Sequence, residues 1–407
     1  MVQEEGSSSL SSSPLQMFSL MSLSPGLGSP YPWLREMGSE ERGLCLIHLL
    51  LACANHVAAG SIENANVCLE CISHLASPDG DTMQRIAAYF TEALADRILK
   101  GWRGLHKALN PPTTSVAEIL VHKMFYEFCP FLKLSYVITN QAILEAMEGE
   151  KVVHIIDLNC FEPTQWISLL RGLSARPDGP PHVRITGVHE QNEFQGWRTF
   201  VRSLCVKTGE AVAISSVLQL HSLLAVDHEM TQRASPDSAS SSPISSAPPP
   251  KLTSFLYALC GLSPKLMVVT EQESNHNGFN LTDRITEALN FYAALFDCLE
   301  STVPRASIER QKIEKMLFGK EIKNIIACEG VDRTKRHEKL DKWIPRLELA
   351  GFGKVPLSYH VMLQARRLLQ SSNYHGYKIK EENSCFMLCW QDQPLFSVSA
   401  WRFRQHR

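Results

Sequence analysis

The sequence has no excess of positive charge. Lys and Arg number 40 against 42 Asp and Glu, a net charge of −2 at pH 7. A protein that grips a phosphate backbone with its own broad surface carries a basic excess, so autonomous DNA binding is disfavoured. Metal-site spacing is missing too. Of 12 cysteines in 407 residues, only Cys68 and Cys71 form a CxxC, and no second CxxC or HxxxH pair follows to complete a tetrahedral zinc site. That pair falls in a helical pattern and reads as two small apolar residues one turn apart. Long apolar runs are absent: the longest, Leu44 to Ala54, includes His48 and is too short to cross a bilayer core of about 30 Å. The opening Met1-Val2-Gln3-Glu4-Glu5 is acidic where a signal peptide would be basic. The expectation is a soluble protein of a reducing compartment. No GxSxG, P-loop, HExxH or kinase signature is present either.

What the sequence does have is globular composition, 44% hydrophobic and 20% charged. Residues 1–40 are rich in Ser, Pro, Gly and Met with no periodicity, which predicts a disordered tail. A second biased stretch, 226–251, densest from Ala234 to Pro250, predicts a flexible insertion. Residues 41–147 read as almost pure helix, a cap or bundle of its own. Ile62, Ala65, Leu69 and Ile72 keep one face apolar. After Asp81, which fits an N-cap, Ile86, Phe90, Leu94 and Ile98 recur every fourth residue. Val116–Phe131 and Ser135–Met147 carry similar spacing.

Over 148–407 the period changes. The β-branched run Val152–Asp157 ends in an acid, and a helical stretch, Thr164–Leu173, follows. Val183–Val188, Val212–Val217 and Leu266–Thr270 are further strands with helical segments after them. Such alternation argues for an α/β fold with a doubly wound parallel sheet. Tyr377–Lys380, Cys385–Trp390 and Leu395–Trp401 are short strands parted by polar turns, an antiparallel meander. The expected architecture is an N-terminal helical cap on an α/β core with an antiparallel C-terminal edge.

A doubly wound core invites a nucleotide or methyl-donor site at the end of its first strand. Such a site needs glycines, so that the backbone turns tightly and comes close to the ligand. Here Asp157 is followed by Leu158-Asn159-Cys160-Phe161-Glu162-Pro163, with no glycine, a glutamate facing any phosphate and a proline that cannot donate. Ligand-dependent catalysis is thereby disfavoured. Glu190 stands where a ribose-binding acid would, but acids are common at strand ends. His154, inside a strand run, reads as a packed or hydrogen-bonded core histidine rather than a general base. Glu271-Gln272-Glu273 with Asn275, His276 and Asn277 offers metal ligands, yet a strand emerging into a polar loop looks the same, and that reading is preferred. Leu46, Leu49 and Leu50, and again Leu220, Leu223 and Leu224, fit LxxLL, a partner-binding pattern whose spacing also builds core helices. Arg333-Thr334-Lys335-Arg336-His337, followed by Glu338 and Asp341, reads as a solvated helix face and only secondarily as a nuclear-import signal.

Taken in order, these residues resemble the plant GRAS family. Val153-His154-Ile155-Ile156-Asp157 looks like its VHIID motif, and Pro130–Lys133 with Asn140–Ala146 resembles the leucine-rich approach to it. Val268–Glu273 and Phe291–Glu300 are similar to its PFYRE region, with Arg310 and Glu314 after them. Ser399-Ala400-Trp401 matches the C-terminal SAW motif, with Trp343 and Trp390 as companion tryptophans. The resemblance runs from about residue 41 to the end. It implies a methyltransferase-like core that has lost its enzymatic use, with no catalytic, cofactor or metal residues and no cofactor. It also implies a nuclear, non-enzymatic transcriptional co-regulator in gibberellin-linked growth and root development. Its implied partners are INDETERMINATE-type zinc-finger proteins that hold the DNA, DELLA-type GRAS proteins, and GRAS proteins as homo- or hetero-dimers; contact with DNA is indirect and with membrane absent. The alternatives are a direct DNA-binding transcription factor and, further off, an S-adenosylmethionine-dependent methyltransferase.

One departure stands out. In the family a leucine-rich helix, a strand and a further helix separate the counterpart of Gly187-Val188-His189 from that of Val206–Glu210. Here only Glu190 to Cys205 intervene, whereas a βαβ unit takes about 30 residues or more. The segment around 190–206 therefore reads as truncated, as in a splice variant or faulty gene model, with an interior strand missing. Unpaired neighbours would leave this chain less stable than full-length relatives.

Overall fold

The computed structural model describes residues 37–102, 104, 106, 115–159, 162–188, 197–225, 251–371 and 374–404. Nearly all of the expected tail 1–40 and of the insertion 226–251, together with Glu190, lie outside them. The chain divides into two compact units, residues 1–91 and 92–407, and the helical block expected over 41–147 is spread over both.

In the first unit, helix α1 (Ser39–Ala58) buries Leu46, Leu49, Leu50, Cys53 and Ala54, residues spaced three and four apart. It packs against α2 (Ile62–Leu75), whose Ala65, Cys71, Ile72 and Leu75 are buried. Helix α3 (Thr82–Leu99) opens on a reciprocal cap. The Gln84 N–H donates to Asp81 Oδ1 at 3.0 Å, and the Asp81 N–H to Gln84 Oε1 at 3.1 Å.

The second unit takes in the end of α3 from Glu92, continues with α4 (Ser115–Phe128) and α5 (Phe131–Ala146), and is built on eight strands. These are β1 (Val152–Asp157), β2 (His182–Gly187), β3 (Ala211–Val217), β4 (Leu266–Gln272), β5 (Phe352–Val355), β6 (Tyr377–Glu382), β7 (Cys385–Trp390) and β8 (Gln393–Phe403). Their order is β2-β1-β3-β4-β8-β7-β6, with β5 also paired to β8. The first four in that order are parallel, and β8, β7 and β6 run antiparallel. Strand β4 is buried along its whole length and β1 nearly so, as their unbroken apolar runs require of parallel strands covered on both faces. This is an α/β, methyltransferase-like doubly wound core with an antiparallel C-terminal edge. Register sets the carboxyl ends in one row: Asp157 pairs with Gly187 and Ser215, and Val217 with Thr270.

Around the sheet stand α6 (Thr164–Ser174), α7 (Trp197–Ser203), α8 (Lys251–Cys260), α9 (Leu281–Thr302), α10 (Ile308–Ile313), α11 (Gly319–Ala327), α12 (Leu340–Leu349) and α13 (Tyr359–Ser371). Between α10 and α11 the helix widens into a π-turn, Glu314–Phe318, without breaking. One core cluster joins Ile156, Phe200, Leu220, Phe255, Trp343 and Trp401.

The expected interior gap in the sheet is not there. β1 lies between β2 and β3, and both ladders are continuous. The β2–β3 connection crosses over β1. Among the described residues that connection holds α7 and no strand.

Candidate functional site

The corner after β1 is closed by the chain's own side chains. Asp157, 5% exposed, accepts the Trp166 indole N–H on Oδ2 and the Asn159 backbone N–H on Oδ1, both at 3.1 Å. Asn159 Nδ2 donates to the Val217 carbonyl at 2.9 Å, tying this loop to β3. Glu162 Oε1 accepts both the backbone N–H and the hydroxyl of Thr164, the first residue of α6. A carboxylate thus fills the helix N-terminus that would face an anionic ligand.

His154 is fully buried. Its Nδ1 accepts from Arg184 Nη2 at 2.9 Å, which leaves the proton on Nε2, donated to Thr186 Oγ1 at 2.8 Å. Burial and the adjacent Arg184 guanidinium draw its pKa down, so it stays neutral. Glu210 binds the same Arg184, so the VHIID histidine is one member of a bridge between β1, β2 and the start of β3. It is a structural group with both ring nitrogens in use. Val153, Ile155 and Ile156 beside it are buried.

At the end of β4 and just beyond it, acidic and imidazole groups are paired in buried hydrogen bonds. Glu271 accepts the Leu220 N–H at 2.7 Å and pairs with His221 Nδ1 at 2.8 Å. His276 Nδ1 meets His337 Nδ1 at 2.9 Å, and His276 Nε2 meets Ser274 Oγ at 2.8 Å. Burial lowers the His276 pKa to about 3 and that of His337 well below its usual value. Among the described residues no group of three or more His, Cys, Asp or Glu is arranged to hold a metal ion.

The motif residues toward the C-terminus are buried as well. Arg310, 1% exposed, donates from Nε to Glu314 Oε1 at 2.8 Å, from Nη2 to Glu300, and from Nη1 to the Val303 carbonyl. It pins the end of α9 to the π-turn that Glu314 opens. Trp390 donates its indole N–H to Asp297 at 2.7 Å, and Trp401 donates to Ser399 Oγ at 2.9 Å. Ala400 faces Val268 on β4 and Val355 on β5, and Trp343 is 1% exposed in the central cluster.

One expectation changes on contact with the structure. Residues 333–339 are not helical, and Arg333, Arg336 and His337 are at most 2% exposed. The run is an internal clasp, not a solvated helix face. Arg333 Nη1 donates to the His276 carbonyl at 2.9 Å, and Arg336 to Asn277 Oδ1 and the Gly330 carbonyl. Glu329 faces Arg97, Arg284 and Arg333 at 2.9, 2.6 and 3.4 Å. Burial and neighbouring guanidiniums draw Arg333 down to about 9. Spacing offered one hint, since Glu329 stands four residues before Arg333; the other partners are remote in sequence. All six LxxLL leucines, Leu46, Leu49, Leu50, Leu220, Leu223 and Leu224, are at most 7% exposed, so neither motif presents them at the surface of the folded chain. None of the described cysteines is in a disulfide. Burial pushes the Cys53 thiol up to about 12 and those of Cys45, Cys385 and Cys389 to about 11. No described helix is long and apolar enough to cross a membrane.

A parallel core with its first-strand corner closed, a buried Arg–Glu pair on a π-turn and a Ser-Ala-Trp strand inside the sheet define a GRAS domain. The GRAS domain family matches residues 46–202 and 195–402, and the chain belongs to it, as a plant GRAS transcriptional regulator. It is 53% identical over 478 positions to Scarecrow-like protein 3 of Arabidopsis thaliana, covering 99% of each chain. It is 35% identical over 398 positions to DELLA protein GAI1 of Vitis vinifera, covering 89% of this chain and 62% of that one. The crystal structure of SCL7 in Oryza sativa superposes with a TM-score of 0.72 at 26% identity, over 88% of this chain and 99% of that one. The 478 positions of the first alignment, less the 407 residues here, leave at least 71 that face a gap in this chain.

Proposed function

We propose that the chain is a non-enzymatic co-regulator, acting in the nucleus on gibberellin-linked growth and root development. It reaches promoters through DNA-bound INDETERMINATE-type zinc-finger proteins and works in concert with DELLA-type GRAS proteins. The observation that carries this reading is the closed corner after β1: Asp157 is committed to Trp166 and Asn159, and Glu162 to the start of α6. A methyl donor finds no free acid there. Charge supports indirect contact with DNA, because the net value is −2 and Arg333 and Arg336 are internal. Kinship with DELLA-named proteins supports a place in the same signalling. The same reading takes the short β2–β3 connection as a truncation, which the two overlapping family matches and the alignment gap support.

A gel-shift assay tests it, with promoter DNA and the chain alone, then with an INDETERMINATE-type protein already bound. The expected result is a supershift only with the partner. A shift by the chain alone, weakening steeply with salt, would replace this reading with direct DNA binding. Heat on titration with S-adenosylmethionine would replace it with an enzyme.

A further inference from the structure

A cavity of about 240 Å³ lies within the second unit, with Asn159 after β1, Leu218 after β3 and Gln272 at the end of β4 along one side. The carboxyl ends of parallel strands are where open α/β sheets bind ligands. The corner closed by Asp157 and Glu162 is only part of that row, and this cavity occupies the rest. Phe125, Leu295 and Phe318 are among its apolar lining residues.

Its charges are already answered. Glu321 meets Lys335 at 2.8 Å and accepts the Tyr292 hydroxyl at 2.9 Å. Burial pushes Glu321 up, but Lys335 and that hydroxyl prevail and hold it at about 2. His221 is tied to Glu271. Among the described residues that line it, Gln272, 4% exposed, has a buried Oε1 with no hydrogen-bond partner. A buried acceptor without a donor is costly. Gln272 lines a space worth roughly eight waters at ~30 Å³ each.

We infer that this cavity is a binding site for a compact, neutral, largely apolar molecule carrying one hydroxyl or amide N–H, donated to Gln272 Oε1. A charged ligand would enter with no free counter-charge to meet it. A dinucleotide is too large for a volume below the usual pocket range of about 300–1,000 Å³. The site binds and does not catalyse, and it stands or falls independently of the co-regulator reading.

The test is a titration of the full chain followed by ligand-observed NMR, with benzyl alcohol, toluene and benzoate as probes. Benzyl alcohol is expected to saturate, toluene to bind roughly 3- to 10-fold more weakly for want of one hydrogen bond, and benzoate not to saturate. Leu295→Trp fills the space and abolishes binding of both neutral probes. Gln272→Leu brings the alcohol-to-toluene ratio near one. Benzyl alcohol that fails to saturate, or that binds a folded Leu295→Trp chain as well as the parent, overturns the inference. Should Leu295→Trp not fold, the Gln272→Leu ratio decides: an unchanged preference for the alcohol overturns it.

Discussion

At the scale of single residues, charge enters this fold where something answers it. Arg310 spends its fork on Glu314, Glu300 and a carbonyl, and Glu329 serves three guanidiniums. Glu273 departs from that rule. It accepts the Leu340 N–H at 3.1 Å but has no ion pair among the described residues, and burial pushes its carboxyl up to about 7 against 4.5 in the open chain. Below about pH 4.5 both states hold the proton and nothing is lost. Between 4.5 and 7 the unfolded chain ionises first, so stability falls as pH rises through that window and stays low above it. At 1.36 kcal/mol per unit the ceiling is on the order of 3 kcal/mol. Glu273→Gln keeps an acceptor for Leu340 and removes the ionisation. Urea titrations should find the variant equal to the parent at pH 4 and more stable at pH 8; equal midpoints at both would refute the assignment.

At the scale of elements, the sequence was most readable where side chains alternate or run apolar. β1 has the bounds its β-branched run predicts, and β2, β3, β4 and the β6–β8 meander agree within a few residues. Strand β5 gave no signal, since Phe352–Val355 is four residues with a glycine inside. The π-turn is equally silent, because one extra residue in a turn leaves the apolar spacing nearly unchanged. His154 was legible as a core group from its place in a strand. The arginine clasp was not, because whether Arg333 lies inside or outside is decided by carbonyls near residue 276. Tight turns carry a sharper requirement. Gly376, just before β6, has φ +85°, and a Cβ there would stand 2.6 Å from the Trp390 ring. Gly376→Ala therefore meets both backbone strain and a clash across the β6–β7 pair. A loss of about 2–5 kcal/mol in denaturant titration is expected, and a loss below 1 kcal/mol would mean the ring moves aside freely.

At the scale of the whole molecule, the short β2–β3 connection leaves β2 as the end of the sheet, paired on one side, with Ile185 37% exposed. If the connection is truncated, as proposed above, a strand and helices inserted between residues 188 and 206 would cover that edge, and the melting temperature should rise by several degrees. An identical melting curve would show that the present edge costs nothing. The buried thiols described above have a further consequence. Cys45, Cys53 and Cys71 lie in the first unit, and Cys129, Cys260, Cys298, Cys385 and Cys389 in the second. A thiol sealed from solvent reacts only when its surroundings open. The chain therefore carries a built-in set of clocks. The pace at which each sulfur is alkylated times the breathing of its own neighbourhood, and the spread of those times is a map of cooperativity written without any added label.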